Sequence, residues 1–208
     1  MLKCGIDIGG TNIKFGFFDG EKKVNSVVIK TPKVKEKVIP SIVCEIKKKY
    51  KPNDILGYTV AIPGVVLNDV VVFAPNTDIF GLNFKEELGL LLENDNIIVE
   101  NDANLQAMAE AKATGLDDLI LISIGTGLGG GIIIDGKLLN KNGFAGEIGH
   151  IKVHFGVNSR MCGCGKLGCS EAYVSCKAIV KDYNDINHTN VNSKELFDLA
   201  RAKDKLAI

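Results

Sequence analysis

The chain has 208 residues, enough to bury a substantial core as one large domain or two small ones without a disulfide or metal staple. Its 25 Lys plus Arg balance 25 Asp plus Glu, so no net basic field points to nucleic acid or to an anionic membrane surface, and a small-molecule partner is expected. The opening "MLKCGIDIGG" lacks the pattern of a cleaved leader, and no apolar run approaches the roughly 20 residues that span a bilayer, which reads as a soluble cytoplasmic protein.

The first elements are β-rich runs, "KCGIDIG", "IKFGFFD" and "VNSVVIK". In "VKEKVIPSIVCEIKKKYK", Val38, Ile42 and Ile46 recur at helical spacing and predict an amphipathic helix, with Pro40 at its start or at a kink. Strands follow in "DILGYTVAIPG" and "VVVFAPN", then a short helix in "FKEELGLLLEN" and a buried strand in "NIIVEN". An alanine-rich helix, "ANLQAMAEAKATG", ends at Gly115. This alternation predicts a layered α/β fold.

"DDLILISIGTGLGGGIIIDGKLL" then repeats the strand, glycine-rich turn and strand of "CGIDIGGTNIKFGFFDG", with Asp135-Gly136 as a hairpin turn. The weak duplication predicts two related domains facing each other, residues 1–116 and 117–208, each contributing one glycine-rich hairpin. Two helical patterns close the chain, "CSEAYVSCKAIVKDYND" and "NSKELFDLARAKDKLA". Ser193 is the cap candidate of the second, and Leu196, Leu199 and Leu206 are expected to form an unpartnered apolar stripe.

Three stretches carry chemistry. "DIGGTNIK", Asp7 to Lys14, places bare glycine amides after a strand, where they can approach phosphate oxygens or simply turn a hairpin. "GTGLGGG", Gly125 to Gly131, repeats the device, and the pair favours a phosphate clamp. Asp7 suits Mg²⁺ better than direct phosphate contact, because a carboxylate repels phosphate but helps to hold the bridging cation; a turn-capping aspartate is the alternative. In "VENDAN", Asp102 fits either a helix N-cap or a general base at a strand end.

Cys162, Cys164 and Cys169, with His150 upstream, supply three thiolates and one imidazole, a donor set suited to tetrahedral structural zinc; His154 is an equal rival for the fourth position. Clustered cysteines in a reducing compartment favour metal over a disulfide. Cys4, Cys44 and Cys176 read as ordinary core residues.

With these stretches in order, the chain resembles the ROK family (repressor, open reading frame, kinase), and most closely its glucokinase-like members. The resemblance is carried by "DIGGTNIKFGFFD", "AIPGVV", "APNTDIFG", "ENDANLQAMAE", "IGTGLGGGIIIDGKL", "GFAGEIGHIKV" and "CGCGKLGCSEAY". It implies the actin-like ATPase fold, two ribonuclease-H-like α/β domains around a cleft, with the second domain short of the family's usual last third. It implies ATP-dependent phosphorylation of a hexose, with O6 of an aldohexose as the first-choice acceptor, Asp102 as base and Mg²⁺ on the phosphates. Gly64, Asn76, Asn101, Glu147, His150 and Glu171 match residues that hold sugar hydroxyls. Gly9, Gly10, Thr11, Lys14, Gly125, Thr126 and Gly127 match the phosphate loops, and His150, Cys162, Cys164 and Cys169 become the first-choice zinc set.

A homodimer is implied, with no membrane partner. No nucleic acid is expected either, because the chain opens directly on the first phosphate-loop strand without the winged helix-turn-helix of the repressor branch. Thr77 and Phe80 depart from the family's frequent Leu and Trp beside the "PN" asparagine and bear on sugar preference. The rival function is a catalytically silent sugar-binding module.

Overall fold

Period-two alternation gives β1 (Leu2–Ile8) and β2 (Asn12–Asp19) one inward face each, Cys4, Ile6 and Ile8 on the first and Ile13, Phe15 and Phe17 on the second, all buried. The structure, a computed structural model, describes residues 1–74, 77–140 and 143–207. β3 (Lys22–Lys30) pairs antiparallel with β2, and after α1 (Val38–Lys49) the chain crosses to β4 (Ile55–Ile62), parallel to β1. A small hairpin of β5 (Val65–Leu67) and β6 (Val70–Phe73) follows, then α2 (Phe84–Leu92) and β7 (Ile97–Asn101), parallel to β4. The resulting sheet runs β3-β2-β1-β4-β7.

Ile39, Ile42 and Ile46 of α1 and Phe84, Leu88 and Leu92 of α2 join the inward strand residues in one core cluster. Burial of each such side chain contributes roughly 1.5–3 kcal/mol. Pro40 sits in the first turn of α1, where its missing N–H removes no helical bond, so the helix begins two residues before it.

α3 (Asp102–Thr114) starts where β7 ends and is closed by Gly115 in the left-handed conformation, φ 72°. β8 (Leu119–Ile124), β9 (Leu128–Ile134) and β10 (Lys137–Leu138) form a second antiparallel sheet, and β8 and β9 pair around a glycine-rich turn as β1 and β2 do. Asp135 and Gly136 turn the β9–β10 hairpin at φ 49° and 68°, as an Asp-Gly pair requires. α3 lies close on β9 at small residues, Ala103 over Gly129 and Ala107 over Gly131. Ile120, Ile122 and Ile124 stand exposed along one face of β8.

Several expectations are corrected. "CSEAYVSCKAIVKDYND" forms two helices, α4 (Glu171–Val174) and α5 (Cys176–Asn187), because Ser175 is extended and turns its hydroxyl to accept from Ala178 N as the cap of α5. α6 (Ser193–Arg201) is capped by Asn192 and not by Ser193: Asn192 and Glu195 exchange side-chain to backbone bonds in a capping box. Leu196 is buried, since α6 packs on α5, whereas Leu206 is exposed. Cys4 is a core residue, but Cys44 lies on the solvent side of α1 and Cys176 is partly exposed at the start of α5. Among the described residues no helix is long and apolar enough to cross a membrane.

Candidate active site

The C-terminal ends of β1, β4 and β7 open onto a cleft of ≈ 780 Å³, closed on the other side by the β8–β9 turn, the segment around Glu147 and His150, and Glu171. Asp7, Gly10, Thr11, Gly64, Asn101, Asp102, Gly125, Thr126, Gly127, Glu147, His150 and Glu171 all line it, so widely separated motifs meet in one space.

The β7–α3 junction decides the role of its acidic residue. Asn101 is the N-cap: its Oδ1 accepts from Asn104 N at 3.0 Å, while its Nδ2 donates to Gly64 O at 2.9 Å. Capping by Asp102 is thereby ruled out, and Asp102 is the first helical residue. Its Oδ1 accepts only from Ala103 N, at 2.9 Å, and no cation pairs with it among the described residues. Burial first, and then the charge of Asp7, hold the Asp102 carboxyl above the usual carboxylate range, against the opposing pull of the Ala103 amide.

At the first loop, Gly10 and Thr11 face the cleft, while Gly9 lies behind, its carbonyl accepting from Thr31 Oγ1 at 2.6 Å and its amide donating to Asn12 O at 2.9 Å. Lys14 is not on the wall; its Nζ lies 3.2 Å from Asp7 Oδ2. At the second loop, Leu128 N donates to Glu171 Oε2 at 3.0 Å. Gly127 passes so close to that carboxylate that a Cβ would collide with it. Both loops therefore bring glycine backbone, together with Thr11 and Thr126, to the cleft that Asp102 lines.

On the opposite wall, His150 Nε2 lies 3.6 Å from Glu147 Oε2, and the ring stands edge-on to Phe73 at 6.4 Å. Burial raises the Glu147 carboxyl above its usual range; His150 lowers it, and Asp102 and Glu171 add to the rise. Asn76, expected on this wall, falls outside the described residues. Gln106, Ser123 and Phe73 also line the cleft, although no sequence motif singles them out. Gln106 is within reach of sequence reasoning, being one helical turn after Asp102 on the same face.

Behind this wall His150, Cys162, Cys164 and Cys169 bring their ligand atoms within 4.8 Å of one another. Cys164 Sγ and Cys169 Sγ are 3.8 Å apart, and Cys162 Sγ is 3.7 Å from His150 Nδ1. A tetrahedron with Zn–S bonds of about 2.3 Å has edges of about 3.8 Å, so donor chemistry and spacing both fit zinc. His154 stands apart, stacked on Tyr173 with Nδ1 3.1 Å from Ser159 Oγ. Burial foremost pushes the Cys162 thiol up to about 12, and that thiol contacts Glu171 Oε1 at 3.4 Å.

The sequence profile of the ROK family matches residues 3–208. A glucokinase of Streptomyces coelicolor is 36% identical over 187 residues, which cover 86% of this chain and 58% of that protein. The Bacillus subtilis xylose repressor is 32% identical over 158 residues, 74% of this chain and 40% of the repressor. The crystal structure of a ROK family glucokinase from Streptomyces griseus, in complex with glucose and AMPPNP, superposes with a TM-score of 0.83 at 33% identity, covering 100% of this chain and 73% of that one. The chain thus spans less than two thirds of the length of the glucokinase from S. coelicolor.

Proposed function

The chain belongs to the ROK family and shares its actin-like α/β fold, and from that premise we propose that it is an ATP-dependent hexose kinase, glucokinase-like, acting at O6 of an aldohexose. The observation that carries this reading is Asp102: a carboxylate open to the cleft without a cation partner among the described residues, at a strand end, between two glycine-rich loops and a polar wall.

In this mechanism the hydroxyls of the sugar are held by Asn101, Glu147, His150 and Glu171, with Asn76 and the Gly64 turn completing the wall. Asp102 accepts the proton of the attacking hydroxyl as phosphoryl transfer proceeds. Gly10, Thr11 and Gly125, Thr126, Gly127 line the phosphate path, where backbone amides stabilise charge that spreads over the transferred group's oxygens, while Gly9 shapes the first turn from behind. Lys14 keeps Asp7 in place in the absence of donor. Asp7 is the residue fitted to Mg²⁺, which when bound neutralises charge on the donor phosphates. His150, Cys162, Cys164 and Cys169 would hold zinc in a closed, structural site. His150 then uses Nδ1 for the metal and keeps Nε2 for the cleft, so the cysteine loop stiffens the wall that orients the sugar.

The proposal includes the division into residues 1–116 and 117–208, a homodimeric assembly, a cytoplasmic setting, and no nucleic-acid or membrane partner. Similarity to the xylose repressor supports a second reading, a sugar-binding protein without phosphoryl transfer. A coupled ADP-release assay with MgATP over a hexose panel, run beside calorimetric titration of each hexose, separates the two. Turnover establishes the kinase; hexose binding with no turnover establishes the second reading.

A further inference from the structure

Glu100, the residue before the Asn101 cap, has no part in the chemistry above. We propose that it is a positioning residue, registering the segment that carries Glu147 and His150 against the start of α3; the parts it positions take their roles from the kinase reading. Its Oε1 accepts from Asn101 N at 2.8 Å and from Asn104 Nδ2 at 3.0 Å, and its Oε2 accepts from Asn140 Nδ2 at 2.7 Å. The first two bonds tie it to the junction that presents Asp102. The third reaches 40 residues along the chain, to the segment leaving the second sheet.

Only an acceptor-only group with two oxygens can serve three converging N–H donors without a proton to place, and a carboxylate does so with charge-assisted bonds. The amides have little to fall back on. Asn104 is 4% exposed, and the Oδ1 atoms of both Asn104 and Asn140 are buried without a partner among the described residues. Removing Glu100 would therefore leave Nδ2 donors stranded beside atoms already unsatisfied. Beyond Asn140 the chain reaches Gly143, where a Cβ would lie 2.8 Å from Val65 Cγ1 and Val66 O, and then Glu147 and His150. Asn140 is thus bonded to the end of β7, and Gly143 lies close against Val65 and Val66. A displacement of about 1 Å between a base and the groups orienting its substrate lowers turnover by as much as about 10²-fold.

The test is a double-variant cycle on the full chain, with MgATP and glucose, mannose or N-acetylglucosamine. Asn140→Ala is expected to lower kcat about tenfold with sugar KM held within about threefold. Glu100→Ala lowers kcat at least as much, and adding Asn140→Ala to it changes nothing further, since both remove one shared bond. Glu100→Gln stays within about fivefold of wild type, because Gln still accepts at Oε1 and the Asn140 amide can turn its unpartnered Oδ1 toward the new Nε2. Losses that multiply in the double variant, or an Asn140→Ala protein with wild-type kcat, overturn the proposal. The same cycle is read by thermal melting, with non-additive falls in Tm expected and additive ones overturning it. Melting decides the matter even if no sugar is turned over, an outcome that defeats the kinase reading alone. If Glu100→Ala does not fold, Asn140→Ala and Glu100→Gln still decide between the outcomes: tenfold loss against near-wild-type turnover supports the register, and equal effects overturn it.

Discussion

Replacing Asp102 by Asn should move activity and stability in opposite directions. The amide keeps the shape and can still accept from Ala103 N, which donates to the carboxylate in the wild type. It cannot take a proton. Loss of a general base costs about 10²–10⁴ in kcat, whereas hexose affinity should stay within a few-fold because Glu147, His150 and Glu171 are untouched. Stability should rise. Burial and the nearby Asp7 raise the Asp102 pKa in the folded protein, so ionisation at neutral pH works against the fold. The stabilising contribution of the raised pKa is fully present below the ordinary value of 3.8 and is lost as pH rises through the folded value. The Asp102→Asn protein is therefore expected to melt somewhat higher than wild type at pH 7. The gap should close as pH falls toward 3.8. In the wild type, kcat/KM should decline on the acid side below the raised pKa. Melting curves at several pH values, steady-state kinetics and hexose titration measure all of this. Near-normal turnover in the variant refutes the base assignment, and parallel loss of turnover and sugar affinity refutes the separation of roles.

Two further perturbations follow from the site. Protein purified without chelator should carry about one zinc per chain by elemental analysis, and Cys164→Ser should lose it with a fall in Tm; full zinc in that variant would sink the four-ligand assignment. Gly127→Ala should drive the Glu171 carboxylate off Leu128 N and weaken hexose binding by about tenfold or more, measured by titration, with far-UV circular dichroism unchanged; unaltered affinity would remove Glu171 from the sugar wall.

The cleft is legible in the sequence because its parts are short-range: glycine runs after strands, an acidic residue entering a helix, cysteines spaced for a metal. Each keeps its meaning whatever packs around it. Capping is displaced by one residue from the sequence expectation at α6, and at α3 the sequence leaves it open, since "NS" and "ND" offer two competent side chains in succession. Only the point where the preceding segment leaves the extended region selects between them. The break at Ser175 is hidden for a related reason, as a serine inside a helical pattern gives no sign that its hydroxyl will cap the next helix. The choice of His150 over His154 needs tertiary contacts, the stacking of His154 on Tyr173 among them. Glu100 carries no signal in the sequence because its partners, Asn104 and Asn140, lie on different elements and no spacing rule joins them.

The glycine run of β9 also governs how the gene can drift. A Cβ on Gly129 would meet Ala103, one on Gly130 would meet Ile148, and one on Gly131 would meet Ala107, so the strand is gripped from alternate sides at three successive residues. Every single-base replacement of a glycine codon that still encodes an amino acid, glycine itself apart, adds at least a Cβ. The helix bearing Asp102 therefore rests on a stretch where first mutational steps at Gly130 and Gly131 create overpacking, of order roughly 1–3 kcal/mol. Variation reaching this cleft is more readily tolerated in its loops than in the strand beneath α3.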